Sequence, residues 1–170
     1  MGKMTSKTKK RTLFLCYGAV VAALYVALTF FSKLLGLDSN VIQVRFSEAL
    51  CILPIFMPSS IWGLTVGCFL SNILVAAHPV DILVGPLATL LGALGTYALR
   101  RFKWLAPLPA VLSNALIIPF VLSYAYGAEE AIPLMMLTVG AGELISVYGL
   151  GGAFMVSARR FLEKIGKSLV

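Results

Sequence analysis

Charged side chains are scarce in this chain of 170 residues, making up 12% of it, where an ordinary soluble domain carries about 25%. Hydrophobic residues fill 59% and the mean hydropathy is +0.94, which excludes such a domain. Histidine is rarer still. With His78 alone, a multi-histidine metal site and any two-histidine enzyme are excluded, and no metal is expected. Cys16, Cys51 and Cys68 are odd in number, lie inside apolar runs and show no Cys-x-x-Cys spacing. They read as small core residues, not as disulfides or a redox pair. A nucleotide site is missing too. Gly166-Lys167-Ser168 imitates the end of a phosphate-binding loop, but Phe161 stands where that loop needs its first glycine and no strand precedes it, so the chain is not expected to hydrolyse ATP. No Gly-x-Ser-Gly context accompanies His78 either, which argues against a serine protease. The reading is a protein without catalytic residues and without a cofactor.

What is abundant is apolar length. A helix that spans a bilayer needs about 20 mostly apolar residues, and the runs between charged breaks give six spans near 12–32, 46–58, 60–77, 81–100, 105–126 and 131–158. The turn signal Met57-Pro58-Ser59-Ser60 separates the second from the third. Lys-rich residues before Leu13 suggest a signal peptide, but the run to Phe31 exceeds the roughly 7–15 residues of such a segment and no small-residue cleavage site follows, so a retained helix is expected. The last run would be about 42 Å long at about 1.5 Å per residue, so it must tilt, kink or leave the membrane.

The net charge of +7 would in a soluble protein raise nucleic acid as a partner. Its distribution argues otherwise. Lys3, Lys7, Lys9, Lys10 and Arg11, then Arg100, Arg101 and Lys103, then Arg159, Arg160, Lys164 and Lys167 hold 12 of the 14 cations, with only Glu163 of the seven acids among them. By the positive-inside rule both termini and the 100–104 loop face the cytoplasm of a multi-pass plasma-membrane protein, so the partner is membrane lipid and not nucleic acid. The expected fold is all-α, a six-helix transmembrane bundle with N-in/C-in topology. A basic tail over 1–11 precedes one membrane domain over 12–158, and a second basic tail covers 159–170.

The informative residues are polar ones that interrupt apolar sequence. A charge at bilayer depth costs at least about 2.5–3.5 kcal/mol and needs a partner, a watery cavity or a ligand. Arg45 and Glu48 open the second span; Asn72, His78 and Asp81 flank the third–fourth link; Asn114 lies in the fifth and Glu143 in the sixth. The expected topology turns Arg45, Glu48, Asn72, His78 and Asp81 toward the outer face. Bland roles stand beside the ligand reading: Arg45 and Glu48, three residues apart, suit an internal ion pair, Asn114 an interhelical bond, Asp81 a helix cap. Glu143, within Gly140-Ala141-Gly142-Glu143, sits where glycines allow close approach or an irregular helix. Small residues form a second pattern. Ala19, Ala23 and Ala27 repeat at four-residue spacing, and Gly63-x-x-x-Gly67 and Ala88-x-x-x-Gly92-x-x-x-Thr96 offer further close-packing faces.

The size, the six spans, the alanine stripe and the basic ends resemble the substrate-binding S components of energy-coupling-factor (ECF) vitamin transporters. Val44-Arg45-Phe46-Ser47-Glu48-Ala49-Leu50, then Pro54, then the stretch from Trp62-Gly63 to Ser71-Asn72, resemble more narrowly the QueT-type group, assigned to queuosine-precursor uptake. The resemblance implies a subunit that binds its nutrient at an outward-facing site and topples while docked on a coupling transmembrane protein and two ATPases. It also implies docking through Ala19, Ala23 and Ala27 and a lid over Gly36 to Val44. A 7-deazaguanine base offers an N–H and an amine that one carboxylate accepts together, and a carbonyl for an amide or Arg. Glu48 or Glu143 suits the first task, and Asn72, Asn114 or Arg45 the second. Asp81 suits an aminomethyl cation, and Phe46 and Tyr148 suit ring stacking. The alternatives are an S component for another vitamin and a stand-alone ion-coupled carrier with a proton on Glu143 or Asp81; such carriers often contain internal repeats, and no repeat relates the halves here.

Overall fold

A computed structural model of the chain describes residues 6–37 and 43–169, and these are helical with no strand among them. Helix α1 covers Ser6–Leu34 and is followed by a 3-10 helix over Phe46–Ile55. Then come α2 (Ser59–Leu74), α3 (Pro79–Ala98) and α4 (Leu108–Tyr126). The last rod is continuous: α5 (Ile132–Glu143), a π-helical stretch over Leu144–Gly151, and α6 (Gly152–Leu169). These positions follow the expected apolar runs closely. Among the described residues four helices are long and apolar enough to cross a membrane: Lys7–Leu34, Pro79–Ala98, Leu108–Tyr126 and Ile132–Ile165. The 3-10 helix and α2 are apolar but shorter, at 10 and 16 residues.

The breaks have local causes. Pro58 lies at the turn into α2, where the Ser60 hydroxyl donates to the Met57 carbonyl at 2.6 Å. Pro79 begins α3, a position where a missing N–H costs nothing. Helix α4 ends on Gly127 at φ 64°, the left-handed residue that accommodates a helix C-terminus.

Successive rods alternate in direction. Gly63 and Gly67 of α2 pack on Gly18, Val21, Ala22 and Tyr25 of α1 in rising order, so those two helices are parallel. The 3-10 helix runs back between them: Phe46 bonds to Ser32, and Phe56 lies near Lys103 at the other end. Helix α3 reverses α2, and α4 reverses α3, with Gly92 on Ala110 and Gly95 on Pro109. This alternation carries the start of α1, the 99–107 connection and α6 to one end. There Glu163 pairs with Lys103 at 3.1 Å and Arg159 at 3.0 Å.

The 3-10 helix is the axis of the bundle. Ser47, Glu48 and Leu50 to Ile55 are buried, and Leu50, Cys51 and Leu53 share a core with Val21, Tyr25, Leu64, Val111 and Val147. A 3-10 helix rises about 2.0 Å per residue, against about 1.5 Å in an α-helix. Few residues thereby reach further along the bundle. Outward faces carry Leu15, Trp62, Leu83, Leu87, Leu116, Phe120 and Leu137, which suits hydrocarbon rather than water.

Candidate functional site

At the end of the bundle opposite the basic clusters, the tips of α1 and α4 and the α2–α3 turn enclose a cavity of about 320 Å³, near the lower limit of ordinary small-molecule sites, about 300–1,000 Å³. Gln43, Arg45, Asn72, Asp81 and Tyr126 line it with Thr29 and Ser32, over a floor containing Ile118 and Val121. Each reaches it for a local reason. Arg45 precedes the 3-10 helix with extended backbone, and its N–H donates to Ser146 Oγ at 3.2 Å. That strand of chain lies close against the last rod because Gly142 has no side chain: a Cβ there would stand 2.0 Å from the Gln43 carbonyl oxygen. Gly151 gives the same room to Ala49, at 2.7 Å. The π-helical stretch lies between these two glycines, and such widened turns recur at functional sites.

Across the cavity, Asn72 Nδ2 donates to the Asp81 carbonyl at 3.0 Å, which fixes the amide so that its own oxygen is left as an acceptor. Asp81 Oδ2 accepts from the Tyr126 hydroxyl at 3.2 Å, and that hydroxyl accepts from the His78 backbone N–H at 3.0 Å. Asp81 and Asn72 are 7% and 5% exposed. The site opens three unpaired groups: the Arg45 guanidinium, Asp81 Oδ1 and Asn72 Oδ1 have no hydrogen-bond or ion-pair partner among the described residues. A cation beside two acceptors is complementary to a small polar ligand with one carbonyl and neighbouring N–H donors.

Two other carboxyl groups lie deeper. Glu48 has no ion pair with Arg45; its oxygens take the Tyr25 hydroxyl and, at 3.0 Å, the Cys51 thiol. Glu143 Oε1 accepts from Asn114 Nδ2 at 2.9 Å, while its Oε2 is buried without a partner among the described residues.

Compared with known proteins, residues 15–160 match the family described as QueT transporter. The chain belongs to the QueT transporter family. A relative from Lactococcus lactis subsp. cremoris (strain MG1363), named queuosine precursor transporter QueT, is 32% identical over 94% of this chain and 95% of its own length. No solved structure matches. Family membership and four long apolar helices make this a multi-pass membrane transporter.

For a QueT-family chain, the residues singled out in the sequence fall into three groups. Arg45, Asn72 and Asp81 meet on the cavity. Glu48, Asn114 and Glu143 are buried below it and bonded to protein. Phe46 packs on Phe31 with ring centroids 5.5 Å apart, and the exposed His78 caps α3 by accepting from the Val80 N–H at 3.3 Å. Tyr148 donates to the Trp104 carbonyl at 2.9 Å, toward the basic end and away from the cavity. Ala19, Ala23 and Ala27 are exposed on α1. Of the expected lid, residues 38–42 lie outside the described residues. Sequence reasoning missed Gln43, Tyr126 and the Tyr25–Glu48 bond. The signal for Tyr126 was its place one residue before the helix-ending Gly127.

Proposed function

We propose that this chain is the high-affinity substrate-binding subunit of an ATP-driven ECF importer for a queuosine precursor, a 7-deazaguanine base or queuine. The observation that carries the reading is that Arg45, Asp81 and Asn72 line one cavity while the Arg45 guanidinium, Asp81 Oδ1 and Asn72 Oδ1 have no partner among the described residues, in a chain 32% identical to a queuosine precursor transporter. The Arg45 guanidinium meets the base carbonyl, and the two acceptors take the ring N–H and the exocyclic amine. The two-donor edge is thus shared between residues. Of Glu48, Asp81 and Glu143 none has both oxygens free, since Glu48 has two protein partners and Asp81 and Glu143 one each.

In this reading the basic tails 1–11 and 159–170 and the 100–104 loop face the cytoplasm, six crossings make up the domain over 12–158, and the cavity opens outward. The exposed Ala19, Ala23 and Ala27 form the flat face that meets the coupling transmembrane protein, and two ATPases supply the energy. The chain itself catalyses nothing. The experiment is thermal stabilisation of the purified protein by queuine and its pre-queuosine bases beside riboflavin and biotin. Stabilisation by the deazaguanines alone is expected, and no shift with any of them overturns the substrate assignment.

A further inference from the structure

The proposed binding uses Asp81, and Asp81 is held by a tyrosine of α4. Tyr126, the last residue of α4, is anchored from one side and acts on the other: its oxygen accepts from the His78 backbone N–H at 3.0 Å and its hydroxyl donates to Asp81 Oδ2 at 3.2 Å. A phenol has one proton to give, and with the His78 N–H donating to its oxygen, that proton goes to the carboxylate, its acceptor among the described residues. The effect is to fix which Asp81 oxygen is spent and which is free. The free Oδ1 stands 3.1 Å, and Asn72 Nδ2 2.8 Å, from the point where a Cβ on Gly85 would lie, so Gly85 is the gap into which both side chains lean. Asn72 is pinned to the Asp81 carbonyl as well. The two free acceptors, Asp81 Oδ1 and Asn72 Oδ1, therefore belong to one braced unit of α2, α3 and the tip of α4.

We propose that Tyr126 is the positioning residue that sets specificity for a 2-amino group beside a ring N–H, by making Asp81 and Asn72 present two acceptors at a fixed spacing. A ligand with both donors satisfies both oxygens. One that lacks the amine covers an acceptor without pairing it, which is the costly outcome. Without the Tyr126 hydroxyl the carboxylate turns about its own bonds and no longer holds that spacing, so the amine loses its advantage while the ring N–H still finds an oxygen.

The inference depends on the proposed binding of a deazaguanine, and the test separates the two. Dissociation constants of 7-deazaguanine and 7-deazahypoxanthine, which differ only in the 2-amino group, are measured on the intact wild-type chain, on Tyr126→Phe and on His78→Pro, with unfolding temperatures recorded without ligand. His78→Pro removes the backbone donor that anchors the phenol, and the observed φ of −59° is one that proline adopts. Wild type is expected to prefer the amino base, and Tyr126→Phe to reduce that preference by about tenfold, the factor of one hydrogen bond. His78→Pro shifts the same ratio in the same direction by less. A merely structural role for Tyr126 weakens both ligands equally; an unchanged ratio overturns the proposal even where affinity falls. Failure of wild type to bind either base overturns the substrate assignment and this inference with it.

Discussion

The hydroxyl of Tyr25 on α1 donates to Glu48 Oε1 on the 3-10 helix, and the Cys51 thiol fills Oε2. Glu48 is 2% exposed and Tyr25 also 2%. This is the polar pin that holds the central helix against α1, and both carboxyl oxygens are consumed by it. Tyr25→Phe is therefore expected to destabilise the fold by about 1–3 kcal/mol, the cost of a buried acceptor left open, while ligand affinity in the folded fraction is unchanged. Thermal unfolding in detergent and ligand titration read the two quantities separately. A large loss of affinity without loss of stability would make Glu48 a ligand group after all.

Gly142 and Gly149 lie seven residues apart in the last rod and have opposite surroundings. A Cβ on Gly142 meets the Gln43 carbonyl oxygen at 2.0 Å, whereas one on Gly149 meets nothing within 4 Å among the described residues. Gly142→Ala must displace the Gln43–Arg45 segment from the helix it lies on. It is expected to cost about 1–3 kcal/mol through overpacking, and to weaken ligand binding because Arg45 moves with that segment. Gly149→Ala is expected to be neutral or to stabilise by up to about 1 kcal/mol through helix propensity. Unfolding temperatures and dissociation constants of the pair check the contrast, and equal effects would contradict the close packing at Gly142.

The contrast also shows where sequence reading reached and where it stopped. Helix limits were legible because charge blocks and Pro58, Pro79 and Gly127 punctuate apolar runs. The packing role of Gly63, Gly67 and Gly92 was legible because a missing side chain in a membrane helix has few other uses. The 3-10 geometry was not: Phe46–Ile55 is apolar nearly all round, so its period leaves no face to read; the π stretch over Leu144–Gly151 was legible only as an irregular helix at the adjacent glycines. In the site, Arg45, Asn72 and Asp81 stood out because their charge or amide is expensive in an apolar setting. Tyr25 and Tyr126 did not, since most of a tyrosine is an apolar ring and sequence does not show where one hydroxyl points.

On α1 the alternation of small residues splits into two faces. Gly18 and Ala22 pack on α2, and Ala19, Ala23 and Ala27 face outward. Under the proposed division of labour the outward face docks on the coupling protein and takes no part in holding ligand. Ala23→Trp, which adds bulk to that face without entering the bundle, is expected to preserve ligand binding and to abolish ATP-dependent uptake in vesicles with the complete transporter. Ala88→Trp is the contrasting control, because Ala88 is fully buried and the substitution should disrupt the fold itself. Persistent uptake by Ala23→Trp would remove Ala23 from the docking surface.

Glu143 decides between the importer subunit and the ion-coupled carrier. Its Oε1 takes the Asn114 amide at 2.9 Å, and its Oε2 is buried with no partner among the described residues. If the group only ties α4 to α5, Glu143→Gln keeps the oxygen that accepts from Asn114. It then supplies an uncharged amide in place of the unpaired oxygen, so stability and uptake should both be retained. If instead Glu143 carries a coupling proton, an amide cannot titrate and accumulation driven by a proton gradient must stop. The measurement is uptake by wild type and Glu143→Gln in vesicles, once with ATPase partners and ATP, once with a proton gradient alone. We expect ATP-dependent uptake in both proteins and none from the gradient. Gradient-driven accumulation by wild type that vanishes in Glu143→Gln would establish the carrier and overturn the importer.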